Sequence, residues 1–332
     1  MSDKIAMSHE AAKSEANEMN QQYVIDVKGL VKRFSKKVAV NGVDLQLKKG
    51  EVWGFLGPNG SGKTTVIRMI CGLLHADEGS GTCLGLDIQK QATTIRRQTG
   101  YMTQKFSFWN DLTIRENLEF VARLYQIKNK RKVINDTLIK LGLFDRQKQL
   151  AGALSGGWKQ RLALAAVTMH KPKILLLDEP TAGVDPQARR DFWDEIHRLS
   201  MDGMTVLVST HYMDEAQRCD QIAYLAYGEL IIKGSVKEII AQSDLYTIKG
   251  TGEGVRALMH ELKTFEFVEQ ASYFGSALHV SGHNIDLLKQ GIQQAQTKLG
   301  IKTIDWQEVP PSLEDVFIAL TQRTGGDKRG FV

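Results

Sequence analysis

The chain has 332 residues, 42% of them hydrophobic, enough to bury a sizeable core and to divide into one large and one small domain. Its 43 Lys and Arg against 38 Asp and Glu leave a formal charge of only +5, spread along the sequence, which argues against nucleic acid as a partner. No apolar run approaches the roughly 18 residues of a membrane-crossing helix, and no secretory-signal pattern opens the sequence.

Residues 1–22 are polar and rich in Ala, Ser, Asn and Gln, and read as a frayed or disordered tail. Period-two runs at 23–27 and 38–47 predict an antiparallel strand layer. Residues 51–56, EVWGFL, suit a buried strand, and 65–74 place Ile67, Ile70 and Leu74 at helical spacing. Between them, 57–64 read GPNGSGKT and fit the phosphate-binding pattern G-x-x-x-x-G-K-[ST] in the strand, turn and helix context it requires. Gly57, Gly60 and Gly62 let the backbone turn its NH groups inward, so that the loop, with Pro58, Asn59 and Ser61, and the helix start at Thr65 surround phosphates. Lys63 then reaches the β and γ phosphates, and the Thr64 hydroxyl holds Mg2+.

Further along, Phe106, Phe108 and Trp109 put three large aromatics within four residues, as anchors for a partner helix or as internal packing. Residues 112–143 carry Leu118, Val121, Ala122, Tyr125, Leu138 and Leu141 at helical spacing and predict a helical subdomain. Within it, 128–132 read KNKRK, most simply a solvated face. Residues 154–160 read LSGGWKQ, and LSGG at 154–157 precedes a helical segment at 158–170; Ser155 is an N-cap candidate, and the NH groups behind it form an anion site. Residues 173–179, KILLLDE, read as a buried parallel strand ending in two acids at its carboxyl end. Asp178 is expected to serve Mg2+, and Glu179 to orient or deprotonate the attacking water. An apolar strand at 205–210 leads to His211, and strands at 222–226 and 229–233 flank a turn at Tyr227 and Gly228. Cys71, Cys83 and Cys219 are isolated, odd in number and without metal-ligand spacing, which fits a reduced cytosolic compartment.

These motifs, in this order, resemble the ATP-binding subunits of ABC transporters, over roughly residues 23–240. The resemblance implies an α/β P-loop NTPase fold: a mixed sheet core, an antiparallel β layer and a helical subdomain at about 105–160. It also implies further roles. Phe34 matches the aromatic that stacks on adenine, and Gln104 the glutamine that touches Mg2+ and the attacking water. Ser155, Gly156 and Gly157 match the signature that caps the γ phosphate bound by the opposite subunit. Residues 182–185, AGVD, match the D-loop, with Asp185 kept, and His211 matches the histidine that senses the γ phosphate. The implied cofactors are ATP and Mg2+. The implied assembly is a homodimer, or a heterodimer with a similar ATPase, joined to integral-membrane permease subunits on the cytoplasmic face of the membrane. The stretch 100–118 and the late PSLEDVFIALT look most like ABC-2 type exporters, including bacterial drug-efflux ATPases. Two other classes stay open: a soluble non-transport ABC ATPase, and a P-loop kinase, which would not need LSGG.

The ATPase domain is expected to span 23–243, with a small α+β domain at 244–322 and a tail at 323–332. The smaller domain reads close to βαββαβ, with strands at 245–249, 276–280 and 301–306 and helices at 254–263 and 285–299. Pro310 and Pro311 interrupt it before Ser312 caps a last helix carrying Leu313, Val316, Phe317 and Leu320. No catalytic constellation occurs there, so dimer contact or regulation is the expected role.

Overall fold

The computed structural model describes residues 23–105, 107–301 and 303–327, with side chains to residue 321. The expected tail at 1–22, the residues beyond 327 and Phe106 lie outside the described residues. Contacts divide the chain into residues 1–230 and 231–332.

Two sheets build the first unit. The antiparallel one has the order β2-β1-β4-β5, from β1 (Tyr23–Phe34), β2 (Lys37–Lys48), β4 (Glu78–Cys83) and β5 (Leu86–Asp87). Alternation is interrupted by register shifts between β1 and β2, so the buried set in β2 runs Val40, Val43, Leu45 and Leu47. The other sheet has the order β10-β9-β3-β8-β7-β6. It comprises β3 (Val52–Leu56), β6 (Thr99–Met102), β7 (Ile174–Asp178), β8 (Thr205–Thr210), β9 (Gln221–Ala226) and β10 (Glu229–Gly234). From β9 to β6 every pairing is parallel. Such strands are covered on both faces, which explains the unbroken apolar run Ile174 to Leu177, each residue 0% exposed.

Helix α1 (Lys63–Ile70) follows β3 and α2 (Ala92–Gln98) precedes β6. The helix expected to reach Leu74 stops sooner, because Gly72 sits at φ +67 and turns the chain out of it. One core joins the antiparallel layer, α1 and the parallel sheet through Ile25, Leu45, Phe55, Ile67 and Leu176. The helical subdomain has its own core of Ile114, Leu118, Ile134, Leu138 and Leu162. These side chains come from α3 (Ile114–Leu124), α4 (Lys130–Lys140) and α5 (Gly156–Thr168). A capping box between Thr113 and Glu116 fixes the start of α3. Helices α6 (Pro186–Met201) and α7 (Met213–Ala216) flank β8 in sequence.

In the second unit, α8 (Val236–Gln242) precedes β11 (Tyr246–Gly252), α9 (Val255–Leu262), β12 (Gln270–Phe274), β13 (Ala277–Gly282), α10 (Ile285–Leu299) and β14 (Ile304–Val309). The antiparallel sheet runs β12-β13-β11-β14 over a core of Ile248, Leu258, Leu262, Leu278, Val280 and Leu288. Helix α11 (Leu313–Asp327) begins at a reciprocal pair: the Ser312 hydroxyl accepts from Asp315 N at 3.1 Å, and Asp315 Oδ2 accepts from Ser312 N at 2.8 Å. It runs past the 322/323 boundary read from the sequence. Helix α8 packs with α11, so contacts group it with this unit, and the division falls at 230/231, ahead of the 243/244 boundary read from the sequence.

Candidate functional site

Parallel strands bring their carboxyl ends to one edge, and four segments carrying polar side chains leave that edge: 57–62 after β3, Gln104 after β6, Asp178 and Glu179 at the end of β7, and His211 after β8. Register sets Asp178 opposite Ser209 and Leu56 opposite Thr210.

The loop after β3 depends on missing side chains. A Cβ on Gly57, at φ +151, would lie 2.0 Å from the Leu225 carbonyl oxygen, and one on Gly62, at φ +104, 2.5 Å from that of Ala39. Both clashes are with backbone, so the loop closes onto neighbouring strands with no room for alanine. Lys63 at the start of α1 folds back under it, 4% exposed, donating to Gly57 O at 2.8 Å and Pro58 O at 3.1 Å. Burial holds the Lys63 ammonium below its usual pKa, opposed by Glu179 and then Asp178. Pro58, Asn59 and Gly60 are exposed and Thr65 is half-buried. The Ser61 hydroxyl is buried in the loop without a hydrogen-bond partner.

Thr64 Oγ1 donates to the Asp178 carboxylate at 2.8 Å. Ser209 Oγ donates to Asp178 Oδ1 at 2.7 Å and accepts from Glu179 N at 2.9 Å, so one hydroxyl orders both acids. Glu179 occupies left-handed backbone at φ +46, unusual for a glutamate and tolerated only where surroundings enforce it. Its carboxylate is the meeting point: Gln104 Nε2 donates to Oε2 at 3.0 Å, Lys63 Nζ stands 3.5 Å from Oε1, and His211 Nδ1 comes within 3.3 Å of Oε2. The histidine contact has the distance of an ion pair but not the alignment of a hydrogen bond, for Nδ1 has no hydrogen-bond partner.

Behind His211 lies a set of residues that the sequence reading did not pick out. Glu215, 0% exposed, accepts from the Thr181 and Thr210 hydroxyls, and Arg189 Nε approaches it at 3.5 Å. The Arg189 guanidinium also stacks over Tyr212, whose ring lies 4.1 Å from that of His211. The group joins α6, the segment after β7 and the end of β8. A polar pair closing the apolar strand TVLVST was its only signal in the sequence.

Three expected residues stand apart from this cluster. Among the described residues no hydrogen bond or ion pair links Ser155, Gly156 or Gly157 to Lys63, Thr64, Asp178 or Glu179. Gly157 instead packs on α6, where a Cβ would lie 2.5 Å from Ala188 Cβ and 3.8 Å from Asp185 Oδ2. Ser155 takes the N-cap position of α5, yet its hydroxyl makes no capping bond, so the expected cap is present in backbone only. Asp185 does cap, accepting from Ala188 N at 2.9 Å and Gln187 N at 3.1 Å ahead of Pro186. Phe34 ends β1, 49% exposed, with Lys32 Nζ 5.8 Å from its ring.

The aromatic cluster divides. Phe108 packs on the subdomain core, whereas Trp109 is 43% exposed and edge-on to Phe120 at 4.4 Å. Asn117, fully buried, fixes this corner: its Nδ2 donates to Trp109 O at 3.0 Å and its Oδ1 accepts from Trp109 N at 3.0 Å. Elsewhere, burial pushes the Cys71 and Cys83 thiols up to about 12, which leaves them inert.

The donor set fits a nucleotide's phosphates with Mg2+. The glycines keep side chains out of the loop, a buried hydroxyl and an ammonium lie within it, and one hydroxyl with one carboxylate suits a cation that keeps water and phosphate ligands.

Comparison with known proteins agrees. Residues 40–182 match the family model described as ABC transporter. The probable multidrug ABC transporter ATP-binding protein YbhF of Escherichia coli is 42% identical over 224 residues, 66% of this chain, which spans only 38% of YbhF. The linearmycin resistance ATP-binding protein LnrL of Bacillus subtilis is 33% identical over 91% of this chain and 99% of its own length. The Nod factor export ATP-binding protein I of Burkholderia orbicola is 34% identical over 90% and 97%. Among solved structures, the ATP-binding subunit of an ABC transporter superposes with a TM-score of 0.60 at 26% identity, over 66% of this chain and 92% of that one. A dimeric ATP-binding cassette bound to ADP and Pi gives 0.59 at 29% identity, over 64% and 98%.

Proposed function

This chain belongs to the ATP-binding proteins of ABC transporters, and from that premise we propose that it binds and hydrolyses ATP to power an ABC-2 type exporter. The observation that carries the reading is the Glu179 carboxylate, set on left-handed backbone with Gln104, Lys63 and His211 around it, one residue from Asp178.

Lys63 and the amides of 57–62 bind the β and γ phosphates, and exposed Phe34 offers its face to the base. Thr64, Asp178 and Gln104 would hold Mg2+, which would neutralise charge at the phosphates when bound. Glu179 takes a proton from the attacking water, and Gln104 and His211 set where that water lies. Ser209 keeps Asp178 and Glu179 in register.

Ser155, Gly156 and Gly157 have no place in this chain's own cluster, and the uncommitted Ser155 hydroxyl at the start of α5 suits the γ phosphate held by a second cassette. ATP then bridges two cassettes and hydrolysis removes the bridge, a two-state cycle biased by nucleotide. No helix among the described residues is long and apolar enough to cross a membrane. In this reading the translocation path belongs to permease subunits, docked at Trp109 and Phe120, and this chain works from the cytoplasmic face. The similarity to LnrL and the Nod factor export protein supports export as the direction.

Glu179→Gln tests the reading. It keeps the bond to Gln104 but loses the base, so hydrolysis falls about 100-fold or more while ATP binding survives and a dimer accumulates. Wild-type turnover in that variant, or a strictly monomeric protein with Mg-ATP, would refute it.

A further inference from the structure

Between Phe120 and Asn135 the sequence carries five cations, Arg123, Lys128, Lys130, Arg131 and Lys132, and no carboxylate. All five are exposed. Arg123, Lys130, Arg131 and Lys132 line one shallow depression of about 840 Å3, together with the amide side chains of Gln126 and Asn129. Lys132 pairs with Asp136 at 3.1 Å and Arg123 with Glu119 at 3.5 Å, both exposed pairs of little strength. Lys128, Lys130 and Arg131 form no ion pair among the described residues.

Helix stability does not account for this arrangement. Lys130, Arg131 and Lys132 occupy the first turn of α4, the positive end of its dipole, with no acidic residue in that turn and no side-chain cap from Asn129. Cations there are unfavourable to the helix end, a cost that an external anion would offset. Alongside, Leu124 is 64% exposed and Phe120, one turn back on the same stripe of α3, is 42% exposed. An exposed leucine gains nothing from a phosphodiester backbone, and cations interleaved with bulky apolar side chains are the composition of an interfacial surface.

We propose that this face, from Leu124 across the depression to Lys132, rests on the anionic phospholipid headgroups of the membrane. The cations contact headgroup phosphates and Leu124 enters the boundary between headgroups and acyl chains. The proposal extends the exporter reading, which brings the neighbouring Trp109 to the membrane partner, but it is measured without that partner.

The full chain is floated with vesicles containing phosphatidylglycerol and with vesicles of phosphatidylcholine alone. Binding to the first only, abolished by about 0.5 M salt, is the expected result. Replacing Lys128, Lys130, Arg131 and Lys132 together by Gln weakens it several hundredfold, since each cation near such a surface contributes about fivefold. Leu124→Ser weakens it about tenfold, and both variants keep wild-type circular dichroism and basal ATP hydrolysis. Equal partition of wild type and quadruple variant, or equal binding to neutral vesicles, overturns the proposal. So does displacement from the vesicles by stoichiometric single-stranded RNA or by millimolar inorganic phosphate, which assigns the face to those ligands. Undiminished permease co-purification by Trp109→Ala would undo the docking reading and leave the vesicle result standing.

Discussion

The two units both stack helices on a sheet, yet only one sheet concentrates chemistry. In the first, β3, β6, β7 and β8 run the same way, so Leu56, Met102, Asp178 and Thr210 end at one edge and their loops converge. In the second, the pairings β12-β13, β13-β11 and β11-β14 are all antiparallel, so successive strand ends alternate between edges. Within that sheet the Thr247 and Ser281 hydroxyls meet at 2.8 Å and satisfy each other. Strand direction, more than polar content, decides whether side chains collect where a ligand can reach them.

The sharpest way to break that contrast is Lys63→Ala. Turnover is expected to drop about 1,000-fold with folding intact by circular dichroism; a drop under tenfold would mean the convergent edge is not where phosphate binds. Next comes Ser209→Ala, which leaves Asp178 and the Glu179 amide without their shared hydroxyl. Each keeps a second partner, Thr64 for the carboxylate and the Ser209 carbonyl for the amide, so the loss is about one hydrogen bond, about 0.5–1.5 kcal/mol, and kcat should fall by up to about tenfold, read by steady-state kinetics. A pH series sharpens the picture further. The Lys63 pKa lies below its ordinary 10.5, so its charge is lost early as pH rises. ATP affinity should weaken on the alkaline side below that value, by about tenfold per pH unit past the lowered pKa, with proton uptake on binding by calorimetry. An affinity flat to pH 10.5 would remove the ammonium from phosphate binding. Smallest is the control in the other sheet: Thr247→Val with Ser281→Ala removes both partners at once. Stability should change by no more than about 1 kcal/mol in a denaturant titration and hydrolysis not at all.

The same contrast explains what could be read without a structure. The glycine loop at 57–62, the LLLDE strand and the TVLVST strand are legible because each packs its signal into neighbouring residues. Strand alternation likewise exposed the antiparallel layer and the βαββαβ order, although β12 had no residues assigned to it. What stayed hidden depends on where side chains point. Ser209 looks like one more strand residue until register sets it against Asp178. Glu215 gathers Thr181, Thr210 and Arg189 from three separate segments. Phe108 and Trp109 are adjacent in sequence, yet one turns into the helical core and the other outward, a choice made by Asn117 gripping the Trp109 backbone. Ser155 shows the reverse: the right residue at a helix start does not guarantee that its hydroxyl turns inward.

Gly157 gives the first helical turn of α5 an unusual intimacy with α6, since even a methyl would strike Ala188. Two surfaces meeting without slack behave as a rigid linkage between the Ser155 tip and Asp185, and α6 continues from there to Arg189, which lies over Tyr212, the neighbour of His211. Under the proposed two-cassette cycle, a ligand drawing on the Ser155 tip would thereby pull on the segment that carries His211.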